Sequence, residues 1–178
     1  MKKVWLLILV LALILSGCQA FPTYTAAGQV NPSTSDIVKD FESKKRLEVE
    51  QLIDSLDANS ITKLEVVYYH GCFPLYEDTY TVTDSALIKK WTDYFKSLEF
   101  ESTFSEPYRE DSTSDNKYFS FGGNNAPSLQ ISHGSHIGLK DSGLANLFKI
   151  INAEETTPVL WALMEETEKY LTSSERRA

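Results

Sequence analysis

Cysteine, histidine and basic charge are all in short supply in this chain. Its 178 residues include two cysteines, three histidines, and 17 lysines and arginines against 25 aspartates and glutamates. The acidic balance argues against a nucleic-acid partner, because release of phosphate counterions requires clustered cations. No Walker loop and no Gly-x-Gly-x-x-Gly occurs to cradle a phosphate, and no Gly-x-Ser-x-Gly elbow presents a nucleophile. No pair of His or Cys has a strong zinc spacing. Internal repeats and long low-complexity runs are missing as well.

The N-terminus, by contrast, is strongly patterned. Lys2 and Lys3 precede an unbroken apolar run from Val4 to Leu15, then the small residues Ser16 and Gly17, then Cys18. Spanning a bilayer takes about 20 apolar residues, so this run is too short. It has the length of the apolar region of a secretory leader. The lysines stay on the cytoplasmic side, and the chain beyond the run is exported. Leu15-Ser16-Gly17-Cys18 resembles the lipobox of bacterial lipoprotein precursors. That resemblance covers this segment alone. It implies that the Cys18 thiol receives a diacylglyceryl group and that cleavage before Cys18 makes it the first mature residue. An ordinary leader with an incidental cysteine is the plainer alternative, and the lipobox reading is preferred to it.

The expected organisation is a leader over 1–17, a lipidated Cys18 with a tether over 18–35, and one domain over 36–178. Lys2 and Lys3 are the only charged residues before Cys18. Without them the 17 basic residues fall to 15 against 25 acidic, a formal charge of −10. Anionic headgroups repel such a body, which leaves the lipid as the expected sole membrane contact. With Cys18 carrying lipid, Cys72 has no intrachain partner. A disulfide-free exported domain fits a Gram-positive envelope better than an oxidising periplasm.

Residues 19–34 hold turn formers without periodicity and read as the tether. Ser35 is placed to cap a helix from Asp36 to about Asp57, with a charged middle that leaves its first half only partly packed. Strands are predicted from Ile61 to His70, with Leu64, Val66 and Tyr68 on one face, and from Tyr76 to Val82, forming an antiparallel hairpin. Asp84 caps the clearest helix, whose apolar positions Leu87, Ile88, Trp91, Tyr94, Phe95 and Leu98 read as core rather than as a ligand platform. Phe100–Phe104, Lys117–Phe121 and a pair around Leu129/Ile131 and Ile137/Leu139 read as further strands. Asn146–Ile151 is open between a strand, the preferred reading, and part of a helix, because Leu144, Leu147, Phe148 and Ile151 also fit helical spacing. In the hairpin, a loop centred on Gly134 keeps all four apolar residues on one face, whereas a Gly134-Ser135 turn splits them. Thr157-Pro158 is expected to start the last helix, running to about Leu171 and burying Val159, Leu160, Leu163 and Met164. The sum is an α+β domain: an antiparallel sheet of about five to seven strands with helices mainly on one face.

Three kinds of chemistry compete. His70, Cys72, His133 and His136 are candidate metal ligands if the turns that hold them meet, although the glycine within each motif is what a turn needs anyway. That reading requires His70 and one of His133 or His136 within reach of Cys72. A hydrolase would need a nucleophile or a facing carboxylate pair. Cys72 sits in a Pro-containing turn without a helix N-terminus, and Glu154-Glu155 and Glu165-Glu166 are sequence neighbours that do not face each other across a cleft. An enzyme would show a concave pocket gathering at least two titratable groups. The preferred reading is a non-catalytic binding or envelope-assembly module using no cofactor. Its partner would be an envelope protein, a peptide or a glycan, recognised through an exposed tyrosine patch including Tyr69, Tyr76 and Tyr108 without such a pocket.

Overall fold

The computed structural model describes residues 34–71, 75–105, 114–122, 128–140 and 146–177. All belong to the second of two units into which the chain divides, Ser33–Ala178. The leader, Cys18, Cys72 and Tyr108 lie outside the described residues. Among these there are three α-helices, α1 (Thr34–Ser55), α2 (Ser85–Lys96) and α3 (Ala153–Thr167), and one antiparallel sheet of eight strands. The strands are β1 (Leu64–Gly71), β2 (Leu75–Val82), β3 (Phe100–Phe104), β4 (Ser114–Phe121), β5 (Ser128–Ser132), β6 (His136–Leu139), β7 (Phe148–Ile150) and β8 (Leu171–Arg177). Their order across the sheet is β3-β7-β6-β5-β4-β1-β2-β8.

The core follows from strand alternation. Val66 pairs with Tyr80 on one side and Phe119 on the other, Phe119 with Leu129, Leu129 with Leu139, and Ile131 with Ile137. These residues share a face, and all three helices cover it. From α2, Trp91 meets Phe119 at 4.8 Å, and Phe95 meets Phe119 and Phe121 at 5.0 and 5.5 Å. Trp91 is fully buried, and its indole N–H donates to Thr167 of α3 at 3.1 Å. Burying a large apolar side chain stabilises by about 1.5–3 kcal/mol, so this aromatic cluster is a principal anchor of the layer. Asp84 caps α2 as expected, accepting from the N–H groups of Ala86 and Leu87.

The β5–β6 loop is His133-Gly134-Ser135, centred on Gly134, with Leu129 opposite Leu139 and Ile131 opposite Ile137. Gly134 has φ +65°, and a Cβ there would lie 3.2 Å from the Thr157 side chain. On the opposite face, Gly138 packs under Leu147. A Cβ at position 138 would fall 2.6 Å from Leu147 Cδ2 and 3.2 Å from the Asn146 carbonyl. Gly138→Ala is therefore expected to destabilise the domain by about 1–3 kcal/mol through overpacking. Urea unfolding, read as a lower midpoint at unchanged slope, checks this.

Four local expectations are corrected. Thr34 and Ser35 belong to α1 rather than to the tether. The last helix starts at Ala153, not at Thr157-Pro158, and Pro158 lies inside it. Glu154 and Glu155 suit the positive end of the helix dipole, and the Thr157 hydroxyl donates to the Gly134 carbonyl instead of capping. Val159, expected in the core, is exposed, while Leu160, Leu163 and Met164 are buried. The helix also stops short of Leu171: a 3₁₀ turn over Glu168–Tyr170 leads into β8, an eighth strand beyond the five to seven expected. Its sequence, Leu-Thr-Ser-Ser-Glu-Arg-Arg, has no apolar alternation because it is an edge strand held by backbone pairing to β2.

Candidate functional site

The strand face that carries the core changes character at one end of β1, β2 and β4. Beyond Val66 and Tyr80 the alternation continues through Tyr68 and His70 on β1, Asp78 and Tyr76 on β2, and Lys117 and Asp115 on β4. Register places Tyr68 between Asp78 and Lys117, and His70 between Tyr76 and Asp115. Six polar or aromatic side chains thus occupy a face that is otherwise hydrophobic.

Lys117 is the centre of this group. Its side chain is 0% exposed, and its ammonium pairs with the Asp115 carboxylate. The same ammonium lies 4.2 Å from the centroid of the Tyr68 ring and 4.3 Å from that of Trp161 on α3. Two aromatic faces therefore sandwich one cation, an arrangement stabilised by the negative faces of the rings. Burial pushes the Lys117 amine below the ordinary lysine value, and Asp115 offsets part of that shift. The Tyr68 hydroxyl also bonds to Asp115, and burial with that carboxylate pushes its ionisation far up.

A second network adjoins the first. His70 Nε2 lies 2.7 Å from Asp78 Oδ2, and the imidazole stacks between Tyr68 and Tyr76 with centroids at 4.7 and 5.7 Å. Ser174 of β8 donates to the other Asp78 oxygen, and the Tyr80 hydroxyl lies 3.5 Å from Oδ2. Burial alone would raise Asp78, but the hydrogen bonds from Ser174 and His70 bring it below the usual carboxylate value. Tyr80 is pushed up to about 12 by burial and by the neighbouring Asp78 and Glu168 carboxylates. At neutral pH both Tyr68 and Tyr80 are hydrogen-bond donors and not bases.

Above these side chains lies a cleft of about 360 Å³ lined by Tyr68, Tyr80, Trp161, Met164, Glu165 and Glu168. The Trp161 indole is 43% exposed despite its contact with Lys117. A larger open depression of about 540 Å³ is lined by Ile61, Thr62, Thr83 and Ser85 among others, with Lys89 its one ionisable side chain. It gathers no comparable set of groups.

The residues singled out from sequence are distributed differently. His70 and Tyr76 join the cluster. Tyr69 points to the opposite sheet face, where it packs edge-on against Tyr118 at 5.6 Å. Tyr69 and Tyr76 thus do not share a patch. His133 sits in the β5–β6 loop with φ +49°, its N–H bonded to the Asp115 carbonyl. His136 faces away from the core and is nonetheless buried. Its Nδ1 is 2.9 Å from the Ser135 hydroxyl, and its Nε2 has no partner among the described residues. Burial and the nearby Lys149 hold it below its ordinary value, in the neutral form. No three His, Cys, Asp or Glu side chains among the described residues converge as a metal set. By the criterion set out above, a concave pocket gathering titratable groups speaks for an enzyme rather than a binding module, and the cleft gathers Tyr80, Glu165 and Glu168 around the aromatic pair. Glu165 and Glu168 are exposed neighbours on one helical turn, and the Ser174 hydroxyl is spent on Asp78 rather than aligned on His70.

Lys117, Asp115, Asp78 and Trp161 were not among the sequence candidates. The missed signal was alternation itself: Lys117 falls two residues before Phe119 and four before Phe121, which places it on the buried face.

Residues 1–19 match the family model of the prokaryotic membrane lipoprotein lipid attachment site. Cys18 is the cysteine within that match. The chain is a bacterial lipoprotein precursor. The lipoprotein is membrane-associated through a lipid, and no helix among its described residues is long and apolar enough to cross a membrane. No curated protein and no solved structure matches the chain.

Proposed function

We propose that this lipoprotein, carried by lipid on Cys18 at the outer face of the membrane, is a binding module. Its ligand is a cationic group on an envelope protein or peptide, received in the cleft between β1, β2 and α3. The observation that supports this most directly is the Tyr68–Trp161 pair, which already holds an ammonium between its rings at 4.2 and 4.3 Å. The exposed side of the Trp161 indole offers a second cation the same kind of surface, with Glu165 and Glu168 beside it. Tyr80 supplies a neutral hydroxyl donor, and the acidic body of the protein attracts basic partners over distance. A disulfide-free exported domain agrees with a Gram-positive envelope.

The test is titration of a lysine-rich peptide into the lipoprotein, with the lysine-acetylated peptide beside it. The unmodified peptide is expected to bind and the acetylated one to lose that binding. Trp161→Ala should weaken binding by about 1 kcal/mol, roughly fivefold in Kd. Glu168→Gln should weaken it in a salt-sensitive way. Equal binding of the two peptides would remove the cationic reading.

A further inference from the structure

The first half of α1 exposes three large apolar side chains within five positions. Ile37, Val38 and Phe41 are 56%, 49% and 44% exposed. The buried residues of this helix, Val49 and Ile53, both belong to its second half. Phe41 and Glu42 attach this half to the sheet: the Phe41 ring meets Phe104 at 5.9 Å, and Glu42 accepts the Phe104 N–H at 3.2 Å. The two turns before that carry apolar residues that the core does not use.

Their arrangement is directional. At 3.6 residues per turn, Ile37, Phe41 and Val38 occupy an arc of about 100°. Lys44 and Lys45 fall at the margins of the same arc one turn on, whereas Asp36 and Asp40 lie outside it. Lys45 runs along this face, its ammonium 6.0 Å from the Phe41 ring and 2.7 Å from Glu48. An apolar stripe bordered by lysines that can reach outward is the pattern of a helix lying in a lipid interface.

The position of the stripe in the chain names what covers it. The lipid attachment site ends at residue 19 and its cysteine is Cys18, 16 residues before the start of α1 at Thr34. A chain of that length reaches at most about 55 Å even when fully extended. The stripe therefore stays within that reach of a bilayer for as long as the lipid is inserted. Tethering raises the effective concentration of the surface enough to make a weak apolar contact persistent.

We propose that Ile37, Val38 and Phe41 form a second membrane contact, with α1 resting its first two turns in the headgroup region of the bilayer that holds the lipid. This revises the expectation that the lipid is the sole contact. It is independent of the ligand assigned to the cleft. Two contacts fix the orientation of the domain at the surface, which a single lipid does not.

The test uses the full lipidated chain in vesicles of phosphatidylethanolamine and phosphatidylglycerol in equal parts. Cys72→Ser removes the remaining free thiol, and an environment-sensitive fluorophore is placed at Val38→Cys or, on the acidic flank, at Asp40→Cys. Both positions are exposed, so labelling spares the core. Lipids carrying a shallow nitroxide are expected to quench the label at 38 severalfold more than the label at 40, with a blue shift at 38 alone. Three results would overturn the proposal. Neither label being quenched would mean that the helix stands clear of the bilayer. Equal quenching of both would deny the apolar stripe its role. A blue shift at 38 without nitroxide quenching would mean that a second copy of the chain, not lipid, covers the stripe.

Discussion

Replacing Cys18 with serine is expected to abolish fatty-acyl labelling of the protein completely and to leave the precursor uncleaved. The thioether to lipid requires sulfur, and a serine hydroxyl at the same place does not accept it in this chemistry. The lipid attachment match spans residues 1–19, and position 18 holds its cysteine, so the substitution removes the chemical handle and little else. The energetic consequence is large. Each buried methylene of an acyl chain contributes about 0.8 kcal/mol, so that two chains hold a protein where one does so marginally. No helix among the described residues provides an alternative span. An uncleaved leader would itself retain the protein, so a second form is informative. In that form an ordinary cleavable leader is fused directly ahead of Gln19. It is expected to appear in the soluble fraction, folded, while the wild type stays with the membrane. The stripe on α1 does not prevent this release, because its contact depends on the tether. Persistent acyl labelling of Cys18→Ser would place the lipid on another residue.

The parts of the fold that could be read from sequence were those in which one face is buried. α2 was legible because Leu87, Ile88, Trp91, Tyr94 and Phe95 repeat at helical spacing behind an unambiguous cap. The β5–β6 register was legible because only one loop length keeps Leu129, Ile131, Ile137 and Leu139 together, and burial then decides. β8 was not legible, since an exposed edge strand is specified by backbone hydrogen bonds and those leave no side-chain period. The start of α3 was misplaced because Thr157-Pro158 imitates a helix start. The tertiary partner of the Thr157 hydroxyl, the Gly134 carbonyl, is 23 residues away in sequence and cannot be inferred locally.

The candidate site was half legible for a related reason. His70 and Tyr76 stood out by residue type. Lys117 did not, because a lysine in a strand is ordinarily assigned to solvent, and its buried ammonium is tolerable only where Asp115 pairs with it and Tyr68 meets Trp161 across the sheet and α3. Trp161 did not stand out either, because it falls outside the set Val159, Leu160, Leu163 and Met164 from which that helix is recognised. What the pattern lacked was the pairing of strand with helix, and the site exists only where the two meet.

That buried ammonium gives the sharpest prediction on stability. Asp115→Asn is expected to destabilise the domain by about 3 kcal/mol, while Lys117→Met changes it by less than about 1 kcal/mol or stabilises it. The asymmetry arises because removing the carboxylate leaves a charge in a site that is 0% exposed, whereas removing the lysine leaves Asp115 at 20% exposure with access to water. Methionine also fills the slot between Tyr68 and Trp161 with similar volume and no charge. The double variant should recover most of what Asp115→Asn loses. The dependence on pH has a definite sign. Burial lowers the folded-state value of Lys117 below the ordinary 10.5. Between those two values the unfolded chain holds a proton that the folded one lacks, so stability rises with pH across that window. Asp115 raises the folded value, so removing it extends the window downward, and the penalty of Asp115→Asn shrinks as pH increases. Measurement is confined below 10.0, the ordinary tyrosine value. Above it Tyr68, Tyr80, Tyr94 and Tyr118, all raised by burial, keep protons that the unfolded chain gives up, and stability falls. Urea unfolding of the wild type, both single variants and the double variant over this range separates the two contributions. A penalty for Asp115→Asn that does not vary with pH would mean that the ammonium keeps its proton and is stabilised by the two rings alone.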